Sequence, residues 1–254
     1  AAAAAAAAPL LSGRPALAAP GAPQGSPAVT ARVYLDVGVC VEPGEPRSLG
    51  QEGGLSCGRV EPLGRVVVGL YGELLPQTAG GLVALCRSKV YSGTTFQRVV
   101  PGEFVSFGRR GQRRLGDVEG VPEGLLPPSN AELVSAAAFR LRHLAPGTVS
   151  LAVGANDDDP AQRRQPSYRR TQLLVTTGPA PAPSLDGENV VVGAVLEGMD
   201  VIGRIAAMPT FRPAGVLQEY NALAQALGDD RASKARKQWS RPRMPVLIQD
   251  CGVL

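Results

Sequence analysis

Hydrophobic and polar positions alternate from Ala31 onward. Val33, Leu35, Val37 and Val39 fall on one face and Arg32, Tyr34 and Asp36 on the other, the period-two signature of a half-buried strand. Residues 41–62 are then rich in Gly, Pro and Glu and predict a long surface loop, after which Gly64 to Tyr71 form a second strand. Pro76-Gln77-Thr78 opens a helix through Leu82, Val83, Leu85 and Cys86. Its Gly80-Gly81 pair weakens it, so it must be held by packing on a sheet. The stretch from Thr94 to Gly108 is apolar and aromatic, and a polar, Gly-rich loop follows to about Ser129. Ala131 to Leu144 reads either as a short helix or as part of a strand. Strands follow at 147–153, 171–177 and 190–195, the first two separated by a charged loop from Asn156 to Tyr168 and the last entered through a turn at 184–189. A second helix starts at Gly198, with Asp200 placed to favour its first turn. Residues 216–227 make an amphipathic helix that stops at Gly228, Asp229-Asp230 lead a basic helix ending near Trp239, and Pro245 to Ile248 is the closing strand.

Short strands joined by loops, with two core helices, predict a mainly β protein built as one closed barrel. The domain spans 31–254 with insertions at about 41–62, 109–130 and 209–243; the amphipathic half of the last either docks on the barrel, the preferred expectation, or faces a partner. Composition agrees: 44% hydrophobic residues can fill a core, while 31 Gly and 23 Pro against 4% aromatics favour strands and turns over a helical bundle. The formal charge is +4, and the basic residues are almost all arginine, in short clusters such as Arg109-Arg110 and Arg163-Arg164 within Gly- and Pro-containing stretches. These read as solvated loops, so no nucleic-acid partner is expected. Residues 1–30 carry eight alanines, Pro9-Leu10-Leu11 and Ala16-Leu17-Ala18-Ala19-Pro20, which resemble either the apolar core and cleavage site of a targeting peptide or a low-complexity linker. No uninterrupted apolar run is long enough to predict a spanning helix.

Chemistry-bearing residues are few. With no CxxC and His143 as the sole histidine, neither ligand spacing nor ligand supply suits zinc, and no metal or cofactor is expected. Cys40 and Cys57 flank one Gly-rich excursion and stand either paired or free. Asn156-Asp157-Asp158-Asp159 is followed by Pro160 instead of spaced calcium ligands, and Ser106 lacks a nucleophile-elbow motif. His143 reads as a structural histidine. Arg98 is different. It sits among Phe96, Val99, Val100, Phe104, Val105 and Phe107, where burying a guanidinium costs several kcal/mol unless something polar meets it. It is aimed at a ligand or a fixed partner, or else it snorkels to water.

An ordered series of motifs decides between these. Gly64-Arg65-Val66-Val67-Val68-Gly69-Leu70, Pro76-Gln77-Thr78-Ala79, Thr95-Phe96-Gln97-Arg98-Val99-Val100-Pro101-Gly102, Ala145-Pro146-Gly147-Thr148-Val149-Ser150-Leu151-Ala152, Thr171-Gln172, Leu185-Asp186-Gly187-Glu188-Asn189 and Asp250-Cys251-Gly252 together resemble the cyclophilins over about residues 31–254. The resemblance implies an eight-stranded antiparallel barrel capped by two helices and peptidyl-prolyl cis-trans isomerisation of proline-containing peptides and proteins. It implies Arg98 as the catalytic donor and Phe96, Phe104, Val105, Phe107, Gln172, Leu174, Leu185 and Asn189 as substrate-binding residues. Glu103 is one residue extra in the turn. Val105 stands where the family has Met, Phe107 where it has Gln, Leu174 where it has Phe, Val153 where it has Asn, Ser184 where it has Trp and Asn189 where it has His. A weak isomerase is therefore expected, with a non-catalytic assembly module as the alternative. The insertion at 209–243 is similar to those of plastid members, which implies a chloroplast protein, the thylakoid lumen included, and a larger membrane-associated or plastid complex as a partner of the insertion.

Overall fold

The first alternating stretch becomes β1 (Ala31–Pro43), with Val33, Leu35, Val37 and Val39 buried and Arg32 exposed. The computed structural model describes residues 27–43, 57–122, 124–126, 131–153, 171–179, 181–213 and 215–254. The leader expected at 1–30 lies outside them up to position 26, as do residues 44–56 of the first loop and the charged loop at 156–168. The other strands are β2 (Cys57–Leu70), β3 (Phe96–Val100), β4 (Phe104–Phe107), β5 (Thr148–Ala152), β6 (Leu173–Thr176), β7 (Asn189–Glu197) and β8 (Val246–Val253). Among the described residues they form one eight-stranded sheet in the order β3-β4-β6-β5-β7-β2-β1-β8, antiparallel throughout.

The mainly β class and the eight antiparallel strands are as expected, but the closed barrel is not. The two ends of the sheet, β3 and β8, meet through a single bridge between Thr95 and Leu247, with Gly93 N–H donating to Ile248 O and Ile248 N–H to Thr94 O. The ladder goes no further because β8 begins at Val246, after Pro245, which has no N–H to offer; further along β3, Val99 N–H donates to Ser240 O, 2.6 Å away, in the insertion. The sheet is thus a curled, open ladder around one apolar core.

Strands β1 and β2 run further than the pattern predicts. Residues 57–62, expected as loop, pair with β1 as far as Cys57 opposite Pro43, and a disulfide joins Cys40 to Cys57 across this hairpin. Cross-strand pairing overrides the local Gly/Pro/Glu composition, and closing a loop of 17 residues contributes about 3 kcal/mol by restricting the unfolded chain.

Helix α1 (Pro76–Arg87) buries Ala79, Leu82, Leu85 and Cys86. Its first turn has no local side-chain cap; the carboxylate of Glu132 accepts from Gln77 N–H at 3.1 Å and Thr78 N–H at 2.6 Å, and also meets Thr78 Oγ1. A negative charge there satisfies orphan donors and suits the helix dipole. Glu132 belongs to α2 (Ala131–Val134), so the 131–144 segment is helical rather than strand, continuing as a tight turn over Ala136–Arg140. The loop expected at 109–130 is partly interior: Asp117 and Val118 are buried, and Arg109 pairs with Asp117 at 2.8 Å. Helix α3 (Met199–Ala206) packs Val201, Ile202 and Ile205 into the same core. Gly198 turns into it at φ 85°, and a Cβ there would meet Arg65 O at 2.3 Å, so glycine is required.

The insertion is a clasp. Thr210 bridges Pro242, Phe211 N–H donates to Arg241 O and Arg243 N–H to Pro209 O, enclosing α4 (Gly215–Ala226) and α5 (Asp230–Trp239). The amphipathic helix expected to dock its apolar face does the reverse. Val216, Leu217, Tyr220, Leu223 and Leu227 are 59–80% exposed, while Gln218 and Asn221 turn inward, Asn221 Nδ2 donating to Ala232 O at 2.9 Å. Polar hydrogen bonds to the clasp and α5 set the rotation of α4.

Candidate active site

Arg98 is placed by the β3–β4 hairpin. Register fixes which side each neighbour faces, because directly paired residues of adjacent strands share a face. Arg98 pairs with Ser106, Ser106 with Leu174, Leu174 with Ser150 and Ser150 with Val191, one row on the side away from the main core. Val99, Val105, Val175 and Val149 make the alternate row, which lies in the main core.

On the Arg98 side a second apolar cluster gathers Phe104, Ala152, Leu174, Ala182 and Leu185, with Val100 packed against it. The half-buried Arg98 guanidinium lies 5.1 Å from the Phe104 ring centre, a cation–π distance that fixes a charge at the cluster's rim. Asn189 pairs with Ala152 across β5 and β7 and donates from Nδ2 to Leu185 O at 3.0 Å. Gln172 accepts Ala152 N–H on its main-chain oxygen at 3.0 Å. Two buried amide oxygens next to this cluster, Gln172 Oε1 and Asn189 Oδ1, have no hydrogen-bond partner among the described residues.

Six of the nine residues expected at the site, Arg98, Phe104, Gln172, Leu174, Leu185 and Asn189, therefore come together. Phe96, Val105 and Phe107 do not: they are 2%, 0% and 1% exposed and belong to the main core. The correction follows from strand parity. Phe104 faces the small cluster, so Val105 must face inward, and Phe107 pairs with the inward-facing Phe96. The two rings stand 5.0 Å apart, with Tyr91 edge-on to Phe107 at 5.7 Å. Val100, Ala152 and Ala182 were not anticipated. The first two could have been found from the β period, whereas Ala182, in a Pro-rich turn, carries no such signal.

The turn bearing Leu185 is tied down by Asp186. Its Oδ1 lies 2.7 Å from the buried His143 Nδ1 and 3.0 Å from His143 N–H. Burial pushes the Asp186 carboxyl up, but the His143 hydrogen bonds outweigh it and hold the group below its ordinary 3.8. A carboxyl with a depressed folded pKa stabilises the fold above the unfolded pKa, and that contribution is lost as pH falls through the folded value. Asp186→Ala is expected to cost about 1–2 kcal/mol at pH 7. The gap to the native chain should narrow below pH 3.8 in urea unfolding; an undiminished gap in acid would count against this origin.

A cation at the rim of an apolar, aromatic-walled cluster, with amide oxygens beside it, suits a neutral apolar ring joined to a polarisable amide. The comparisons agree. Residues 58–226 match the family described as cyclophilin type peptidyl-prolyl cis-trans isomerase/CLD. Over 231 residues, 89% of this chain and 82% of the relative, it is 40% identical to the chloroplastic peptidyl-prolyl cis-trans isomerase CYP28 of Arabidopsis thaliana. It is 24% identical over 220 residues to chloroplastic CYP26-2 of the same plant, covering 76% of this chain and 66% of that one. A peptidyl-prolyl cis-trans isomerase of Encephalitozoon cuniculi is 31% identical over 150 residues, 58% of this chain and 75% of the relative. With the family matched from β2 into α4, a span that includes the Arg98 hairpin, the chain belongs to the cyclophilin-type peptidyl-prolyl cis-trans isomerases.

Proposed function

We propose that this protein accelerates rotation about X-Pro bonds of protein chains in the chloroplast, with Arg98 as the catalytic donor. The observation that carries the reading is the Arg98 guanidinium set over Phe104 at the rim of the small apolar cluster. The proline ring packs on Phe104, Leu174 and Leu185, and Gln172 and Asn189 accept from the peptide. Rotation is slow unaided because it breaks amide resonance, a barrier of about 18–20 kcal/mol. In the twisted state the prolyl nitrogen regains a lone pair, and an N–H of Arg98 donates to it, a bond the planar ground state cannot make. The chemistry needs no acid–base pair. Proline-peptide isomerisation followed without a coupling protease should run faster than the uncatalysed rate; equal rates with pure, folded protein would remove the proposal.

Within the plastid, the thylakoid lumen is the compartment this reading favours, because the Cys40–Cys57 disulfide suits an oxidising space and the Ala-rich leader resembles a targeting segment. The outward apolar face of α4 supports a role for the insertion in a larger plastid assembly. Organelle fractionation tests both: lumenal protein in a complex that the double variant Leu217→Glu, Leu223→Glu leaves is expected, and a stromal monomer would remove both.

A further inference from the structure

We propose that the insertion gives this isomerase a second substrate subsite, a cleft beside Arg98 that takes an acidic side chain flanking the proline. The inference rests on the isomerase reading above. The cleft holds about 400 Å³ between two walls, the β3–β4 hairpin with Arg98 and Glu103 on one side and Arg212, Gln218 and Trp239 of the insertion on the other. Its two walls are joined by the Val99 N–H to Ser240 O bond at 2.6 Å, which places the insertion against β3.

Arg98 belongs to both places: it lies 5.1 Å from the Phe104 ring and lines the cleft. An extended peptide advances about 3.3–3.6 Å per residue, so a proline on the Phe104 cluster leaves its near neighbours within reach of the cleft. Charge decides what enters. Arg98 and Arg212 outnumber Glu103, and Trp239 also lines the cleft. Arg212 is held in place, because its Nε donates to Gln218 Oε1 at 2.8 Å while Gln218 Nε2 donates to Pro213 O at 2.7 Å. That bond occupies only the Nε of the guanidinium, and a positioned guanidinium is matched to a carboxylate. A basic side chain would meet two arginines.

The test uses the full chain and pentapeptides of sequence Ala-Ala-Pro-Ala-Ala in which one alanine at a time is replaced by Glu or by Gln. At one position the Glu peptide should have kcat/KM about tenfold above its Gln counterpart, the worth of one charge-assisted hydrogen bond. Trp239 is the only tryptophan, so its fluorescence reads occupancy of the cleft independently of turnover and should saturate at about tenfold lower concentration of the same Glu peptide. Both ratios should fall to about one in Arg212→Gln. Ratios near one at every position in the native chain, or a preference that survives in Arg212→Gln, overturn the subsite. If no peptide is accelerated, the isomerase reading falls instead, and the fluorescence ratio alone decides the cleft.

Discussion

Arg98→Ala is expected to lower kcat/KM for X-Pro isomerisation by about 10²–10³-fold, the loss of about 3–4 kcal/mol that follows removal of one preorganised donor to a transition state. The unfolding midpoint should scarcely move, since the side chain is half-buried and its contact with Phe104 is worth about 1 kcal/mol. The proline ring's own cluster, Phe104, Ala152, Leu174, Ala182 and Leu185, remains. The loss should therefore appear in kcat more than in KM, as expected for an interaction made only in the twisted state. Arg98→Lys keeps the charge but not the planar fork and should recover part of the rate. Unchanged kcat/KM in a folded Arg98→Ala protein would move the chemistry to another residue.

Phe107→Gln is expected to destabilise the fold by about 3–5 kcal/mol without raising activity. Family resemblance makes this substitution look like a repair, because glutamine is the residue expected at that position. Here the side chain is 1% exposed between Phe96 and Tyr91, whose hydroxyl is already engaged with Thr171 O at 2.9 Å. A glutamine would lose the aromatic packing and bring an amide into a place with few partners. Against a typical total of about 5–15 kcal/mol, this is a large fraction of the stability. Chemical denaturation followed by circular dichroism measures it. A stable variant with faster turnover would show that Phe107 borders the groove after all.

These two positions show what the sequence could and could not reveal. The strands were legible because alternation survives in β1 and because motif order runs from β2 to β8. Arg98 was legible because a lone cation in an apolar run requires an explanation. A motif match alone does not establish which face Phe107 takes; the register does. Once Phe104 is placed outward, period two sends Val105 and Phe107 inward. The open sheet has another cause: β8 starts only at Val246, so beyond Thr95 the β3 edge meets the insertion, where Ser240, remote in sequence, takes Val99 N–H. The apolar stripe of α4 predicts docking, whereas hydrogen bonds from Gln218 and Asn221 hold its polar side inward.

The Val99–Ser240 hydrogen bond also bears on solubility. A terminal strand such as Phe96–Val100 offers a template on which a neighbouring molecule could add a strand of its own. By occupying a donor on that border, the insertion leaves less of it open to such pairing. Truncating 209–243 would uncover the border, and a truncated protein that loses activity should first be weighed by sedimentation, because clumping would precede any fault in chemistry.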